Sequence, residues 1–154
     1  MGADLYAQLP AARAVFDTAD TALGVALSGL CFTGPEAELT LTTNTQPALV
    51  THAIAALVAA LDAGKITHSP AFVAGHSLGE YAALVAAGSV TFEEGVRLVR
   101  ERGEAMQAAC DAQPGTMAAV LERDGTGGNQ RRVLAERVAG DEGGAVCDLA
   151  GIER

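Results

Sequence analysis

The stretch "PAFVAGHSLGEYAALVAAG", residues 70–88, constrains this chain more than any other. Residues 70–75 form a short apolar run bounded by proline and glycine, which predicts a buried strand. Residues 78–88 predict a helix stopped by Gly88. Between them lies Gly75-His76-Ser77-Leu78-Gly79, a G-x-S-x-G pentapeptide. Strand, tight turn and helix in that order make a nucleophile elbow. The turn lifts the serine Oγ clear of the sheet, and the glycines let strand and helix approach without Cβ clashes. The helix N-terminus offers free N–H groups and a positive dipole end, so the Leu78 N–H is placed to stabilise an oxyanion. The competing reading is a serine that only caps an alanine-rich helix.

A serine hydroxyl is a weak nucleophile without a base. Three histidines are present, and none has a convincing position. His76 adjoins Ser77 on a tight turn, where neighbouring side chains diverge. His52 sits inside an apolar helix, and His68 lies in the loop "ITHSP". Arg102 lies beside the apolar face of the next long helix. Spacing alone favours a snorkelling side chain or an ion-pair partner. The functional alternative is a guanidinium fork for a substrate carboxylate.

The rest of the chain supplies helices and a few strands. Residues 4–23 predict helical structure, with Pro10 near a turn start. "LSGLCFTGPEAEL", residues 27–39, is rich in turn residues and predicts a loop. "TNTQPALVTHAIAALVAALDAGK" predicts a helix capped by Thr45, with Pro47 in its first turn and Gly64-Lys65 at its end. Residues 91–111 predict a long helix opened by a Thr91/Glu94 capping box. Beyond it come a strand over 115–121, a glycine-rich turn over 123–130, a short helix over 131–139 and a strand over 144–152. This order predicts an α/β chain with parallel sheet and crossover helices.

Charge narrows the partners. The formal net charge is −9 over 154 residues, which argues against nucleic acid or an anionic membrane. Eight of the ten basic residues fall after residue 96, so a small acidic ligand could still find a basic patch there. Cys31, Cys110 and Cys147 are odd in number and lack metal-ligand spacing, so free thiols in a reducing cytoplasm are expected and no metal. The N-terminus shows no signal-peptide pattern, and the apolar stretches are interrupted too often to span a bilayer.

Four segments then carry a resemblance: "TQPAL" (45–49), "GHSLGEYAALVAAG" (75–88), "FEEGVRLVRERGEAMQ" (92–107) and "GTMAAVL" (115–121). In this order and spacing they closely resemble the malonyl-CoA:acyl carrier protein transacylases of fatty acid synthesis. They are similar also, less closely, to the acyltransferase domains of polyketide synthases. The resemblance covers most of residues 1–121. It implies a ping-pong acyl transfer in which Ser77 takes malonyl from coenzyme A and passes it to the phosphopantetheine thiol of acyl carrier protein. Leu78 matches one backbone oxyanion donor, and Arg102 matches the arginine that pairs with the malonyl carboxylate. Gln46 falls at the pocket wall. No permanently bound cofactor is implied.

The fold implied is a partial α/β-hydrolase-like core over 1–114 with a parallel sheet and nucleophile elbow. Residues 115–154 would begin a ferredoxin-like small subdomain as an incomplete βαβ unit. The family's G-Q-G-S-Q loop, its S-H segment with the catalytic histidine, and a later orienting Asn or Gln have no match here. The chain is therefore expected to be an internal portion of such an enzyme. Two other readings stay open. One is a serine hydrolase or thioesterase that sends the acyl group to water. The other is an inactive fragment that acts as an interaction module.

Overall fold

The structure is a computed structural model. It describes residues 1–68 and 70–113, together with the backbone of two strands, 116–122 and 132–138. The chain divides into two compact units, Met1–Glu104 and Ala105–Arg154.

The first unit is helical. The helical stretch expected over 4–23 is two helices, α1 (Ala3–Gln8) and α2 (Pro10–Leu23). The break falls at Leu9, because a residue before proline is driven out of the helical region; Leu9 is extended at φ −121° and ψ 108°. The expected loop over 27–39 instead holds α3 (Leu27–Thr33) and α4 (Glu36–Leu39). Burial of Leu27 and Cys31 draws α3 into the core. The Asp20 carboxylate anchors its start by accepting from the Ser28 N–H at 2.8 Å and the Ser28 hydroxyl at 2.5 Å.

The long helix α5 runs from Thr42 to Asp62 and starts earlier than expected. Thr45 is not its cap: its hydroxyl donates to the Leu39 carbonyl, and Asn44 Nδ2 donates to the Glu38 carbonyl at 2.8 Å. These bonds tie the first turn to α4, so Pro47 lies inside the helix. By length and composition α5 could cross a membrane, contrary to the sequence expectation. In this fold nine of its residues are buried against protein.

The core forms where α2, α3, α5 and the helix α7 (Phe92–Ala112) meet. Phe16 and Val96 are fully buried within it, among small residues such as Ala12, Ala19, Ala48 and Ala55. Tyr6, Phe16 and Phe32 add a three-ring cluster, with centroids 5.0–6.0 Å apart. A second cluster joins Val50 and Ile54 of α5 to Val99 of α7. The helix α6 (Leu78–Ala86) closes over it with Leu78, Tyr81, Ala82 and Val85. That packing sets the position of the serine turn.

The capping box at α7 forms as predicted. Glu94 accepts from the Thr91 N–H at 3.1 Å and the Thr91 hydroxyl at 2.8 Å, and the Glu94 N–H donates back to Thr91 Oγ1 at 3.2 Å. Gly88 ends α6 at φ 68°, as its sequence position suggested.

The strand expected over 70–75 does not form. The segment is irregular and exposed, because among the described residues of this unit no strand lies beside it to complete a ladder. In the second unit, β1 (Thr116–Glu122) matches the expected strand over 115–121. The helix expected over 131–139 is instead β2 (Arg132–Val138), antiparallel to β1 in a register that sets Ala119 opposite Ala135. A nine-residue helix is marginal in isolation, and an adjacent antiparallel strand offers partners to the backbone groups of alternate residues. The turn over 123–130 and the strand over 144–152 lie outside the described residues. Cys31 is free and buried, whereas Cys110 is disulfide-bonded, contrary to the expectation of free thiols.

Candidate acyl-transfer site

Ser77 stands immediately before α6, with φ 54° and ψ −109°. Among the described residues it is the one non-glycine with positive φ. Such a conformation costs about 1–3 kcal/mol and persists only where the surroundings impose it. Two features impose it here. Leu78, next in the chain, is held in the α5–α6–α7 cluster. Gly75, two residues before, passes so close to α6 that a Cβ there would sit 2.0 Å from the Gly79 carbonyl carbon and oxygen. Gly79 itself has open space around a built Cβ, so of the two flanking glycines only Gly75 is sterically required.

The turn leaves the Ser77 side chain exposed. Leu78 is the first residue of α6, where N–H groups have no acceptor within the helix. Ser77 thus directly precedes the open N–H groups of α6, and its hydroxyl makes no capping bond to them.

Arg102 reaches this site from α7. Its Nη2 donates to Ser77 Oγ at 2.9 Å, and its Nη1 donates to Gln46 Oε1. Gln46 is buried on α5, with 7% of its surface exposed. Its amide therefore holds the guanidinium from the protein side. On another side the guanidinium carbon lies 6.0 Å from the centre of the Tyr81 ring. Among the described residues no carboxylate forms an ion pair with Arg102. Its positive charge is held by neutral groups and stays available to an anion.

Of the residues singled out from sequence, Ser77, Leu78, Arg102 and Gln46 therefore lie together. The histidines do not join them. His76 is exposed on the turn, His68 pairs with the Thr67 hydroxyl at 2.8 Å, and His52 lies on α5 with Nδ1 near Gly2. Tyr81 escaped the sequence reading. Its signal was its place one helical turn after Ser77, on the face of α6 that returns toward the serine. Among the described residues no group of three or more His, Cys, Asp or Glu could hold a metal.

A model of the acyl transferase domain matches residues 1–140. The chain belongs to the acyl transferase domain family. This acyl transferase chain is 54% identical over 124 residues to the malonyl CoA-acyl carrier protein transacylase of Bacillus subtilis, a match covering 80% of this chain and 38% of that protein. The acyl-carrier-protein-S-malonyltransferase of Bartonella henselae is similar in structure, with a TM-score of 0.72 and 46% identity over 81% of this chain and 40% of that one. A malonyl-transacylase solved in complex with a type II PKS acyl-carrier protein gives a TM-score of 0.70 and 40% identity, over 80% of this chain and 40% of that one. The acyl transferase chain thus spans about two fifths of the length of these relatives. The acyltransferase fold of these neighbours is α/β, in keeping with the class expected from sequence.

Proposed function

We propose that this chain carries the nucleophile half of a malonyl-CoA:acyl carrier protein transacylase site. One observation supports it above the rest: Arg102, with no carboxylate partner among the described residues, sits on Ser77 Oγ at 2.9 Å. A malonyl thioester has a carbonyl to be attacked and a free carboxylate a few bonds away. A serine and an arginine in contact fit both ends of that group.

In the proposed reaction, Ser77 Oγ attacks the thioester carbonyl and its proton passes to a base. The family resemblance supplies that base as a histidine in an S-H segment outside these 154 residues. The Leu78 N–H stabilises the oxyanion. The C–S bond then breaks, coenzyme A leaves as its thiol, and malonyl remains as an ester on Ser77. The phosphopantetheine thiol of acyl carrier protein attacks that ester in turn, forming a new thioester and restoring the serine hydroxyl. Throughout, the Arg102 fork holds the malonyl carboxylate while Gln46 fixes the fork. Residues 1–114 are read as part of the acyltransferase core and 115–154 as the opening of a smaller subdomain. The setting is cytoplasmic, with no permanent cofactor and no nucleic-acid or membrane partner.

Incubation with malonyl-CoA, followed by peptide mass mapping, tests this reading. A malonyl ester on Ser77, absent in Ser77→Ala and discharged by holo acyl carrier protein, is expected. Labelling elsewhere, or none even when the rest of the acyl transferase fold is supplied, overturns it. Hydrolysis of the ester at the same rate with and without carrier protein would place the chain among thioesterases instead.

A further inference from the structure

Tyr81 is the one aromatic residue of α6, a helix otherwise built from small and aliphatic side chains around Glu80. It follows Ser77 by four residues, about one helical turn. The half-buried ring packs against the cluster of Val50 and Ile54 from α5 and Val99 from α7. Val99 and Arg102 are three residues apart on α7 and so are neighbours on its surface. Packing on Val99 thus brings the ring to the guanidinium, whose carbon lies 6.0 Å from the ring centre. A leucine would serve the apolar cluster as well. What the aromatic ring adds is a negative face for a cation, on a rigid side chain with few rotamers.

Among the described residues, Arg102 meets three groups of different kinds. Gln46 Oε1 and Ser77 Oγ accept from its two terminal nitrogens, and Tyr81 offers its ring. The N–H donors of a guanidinium lie in its plane, so the two hydrogen bonds hold its edge and leave its faces uncommitted. When a carboxylate takes Nη2, the Ser77 bond is given up, and Gln46 is left as a hinge about which the fork can swing. We propose that Tyr81 is a positioning residue, whose ring steadies the Arg102 guanidinium so that Nη2 meets a substrate carboxylate beside Ser77. This rests on the carboxylate role proposed above for Arg102. A neutral partner suits that role. An acidic side chain in the place of Tyr81 would pair with the arginine and offset the charge that draws the anion, whereas a ring leaves that charge in place.

The test is reaction of the full 154-residue chain with phenylglyoxal, an arginine reagent, scored residue by residue by peptide mass mapping. Arg102 should be modified at least threefold faster in Tyr81→Leu than in the parent, with Arg97 and Arg100 of the same helix unchanged. Tyr81→Met, a second apolar replacement, should behave as the leucine variant does. Tyr81→Phe keeps the ring and should react at the parental rate. Free malonate should protect Arg102, and malonamide, its neutral analogue, should not. The malonate concentration for half-protection should rise about 2- to 30-fold in Tyr81→Leu, the range a cation–π contact covers, and should hold its parental value in Tyr81→Phe. An equal loss in Tyr81→Phe, an unchanged malonate requirement in the leucine and methionine variants, or faster modification of Arg97 and Arg100 along with Arg102 in both would each overturn the inference. No protection by malonate in the parent would remove the carboxylate site, and this inference with it. Protection of Arg102 without any malonyl ester on Ser77 would defeat the transacylase reading alone.

Discussion

The guanidinium of Arg102 donates to Ser77 Oγ across 2.9 Å, joining α7 to the turn before α6. The bond occupies a lone pair of the hydroxyl that is proposed to attack. The same guanidinium reaches Gln46 Oε1 with its other terminal nitrogen. An arriving malonyl group would compete for the same fork, drawing Arg102 off the serine as it binds.

Arg102→Ala should therefore separate substrates. Charge-assisted hydrogen bonds contribute about 1.5–3 kcal/mol, so acylation by malonyl-CoA should fall roughly 10- to 150-fold. Acylation by acetyl-CoA, which has no carboxylate, should hold or rise. Arg102→Lys should recover little, since an ammonium cannot reach Gln46 and a carboxylate with the same planar fork. Rates of Ser77 acylation with both thioesters check this, and an equal loss for the two would remove Arg102 from carboxylate recognition.

The two glycines around the serine should behave oppositely. Gly75→Ala drives a Cβ to within 2.0 Å of the Gly79 backbone and must displace the turn from α6. Loss of Ser77 acylation is expected, with a lower thermal midpoint. Gly79→Ala meets nothing within 4 Å and lies in the first turn of a helix, so it should be neutral or stabilising by up to ~1 kcal/mol. Thermal melts of the pair decide it.

Gly103 makes a similar demand where α7 crosses the start of α5. A Cβ there would lie 2.9 Å from the Thr42 carbonyl oxygen, and backbone cannot step aside as a side chain can. Gly103→Ala should cost about 1–3 kcal/mol, as overpacking does. Gly95→Ala meets only Val85 Cγ2, at 2.6 Å, and should cost less because that side chain can rotate. Denaturant midpoints for the two variants give the comparison.

The capping box predicts a pH effect. Hydrogen bonds from the Thr91 hydroxyl, then from its backbone N–H, hold the Glu94 carboxyl below its ordinary value, helped by nearby Arg97. Its folded pKa is depressed, so its stabilisation is fully present above the ordinary glutamate range. That stabilisation is lost as pH falls through the lowered value. Glu94→Gln should lower stability somewhat at neutral pH and match the parent at acid pH, so that the acid limb of the stability profile flattens. An unaltered acid limb in this variant would mean that the carboxylate adds nothing at α7.

What was legible in the sequence follows from how far each feature reaches. The Thr91/Glu94 box is settled within four residues, and it formed as read. The Gly88 stop is equally local. A strand is a pairing, not a local state, so "PAFVAG" shows a strand's composition without its ladder. "RVLAERV" went the other way, because β1 offered a partner that helical periodicity could not foresee. Pro35 and the glycines of 27–39 suggested a loop, but they said nothing of the Asp20 anchor eight residues upstream of Ser28. Spacing alone favoured a snorkelling role for Arg102; its contact with Gln46 bridges fifty-six residues of chain and became visible only in three dimensions.

The left-handed backbone at Ser77 carries one more consequence. Only glycine occupies φ 54° without penalty, so Ser77→Gly should raise the folding stability of the chain by about 1–3 kcal/mol. Thermal robustness and the hydroxyl are thus in direct competition at a single codon. A library screened for heat resistance should collect glycine at 77 early, whereas one screened for acyl-serine formation should never lose the serine.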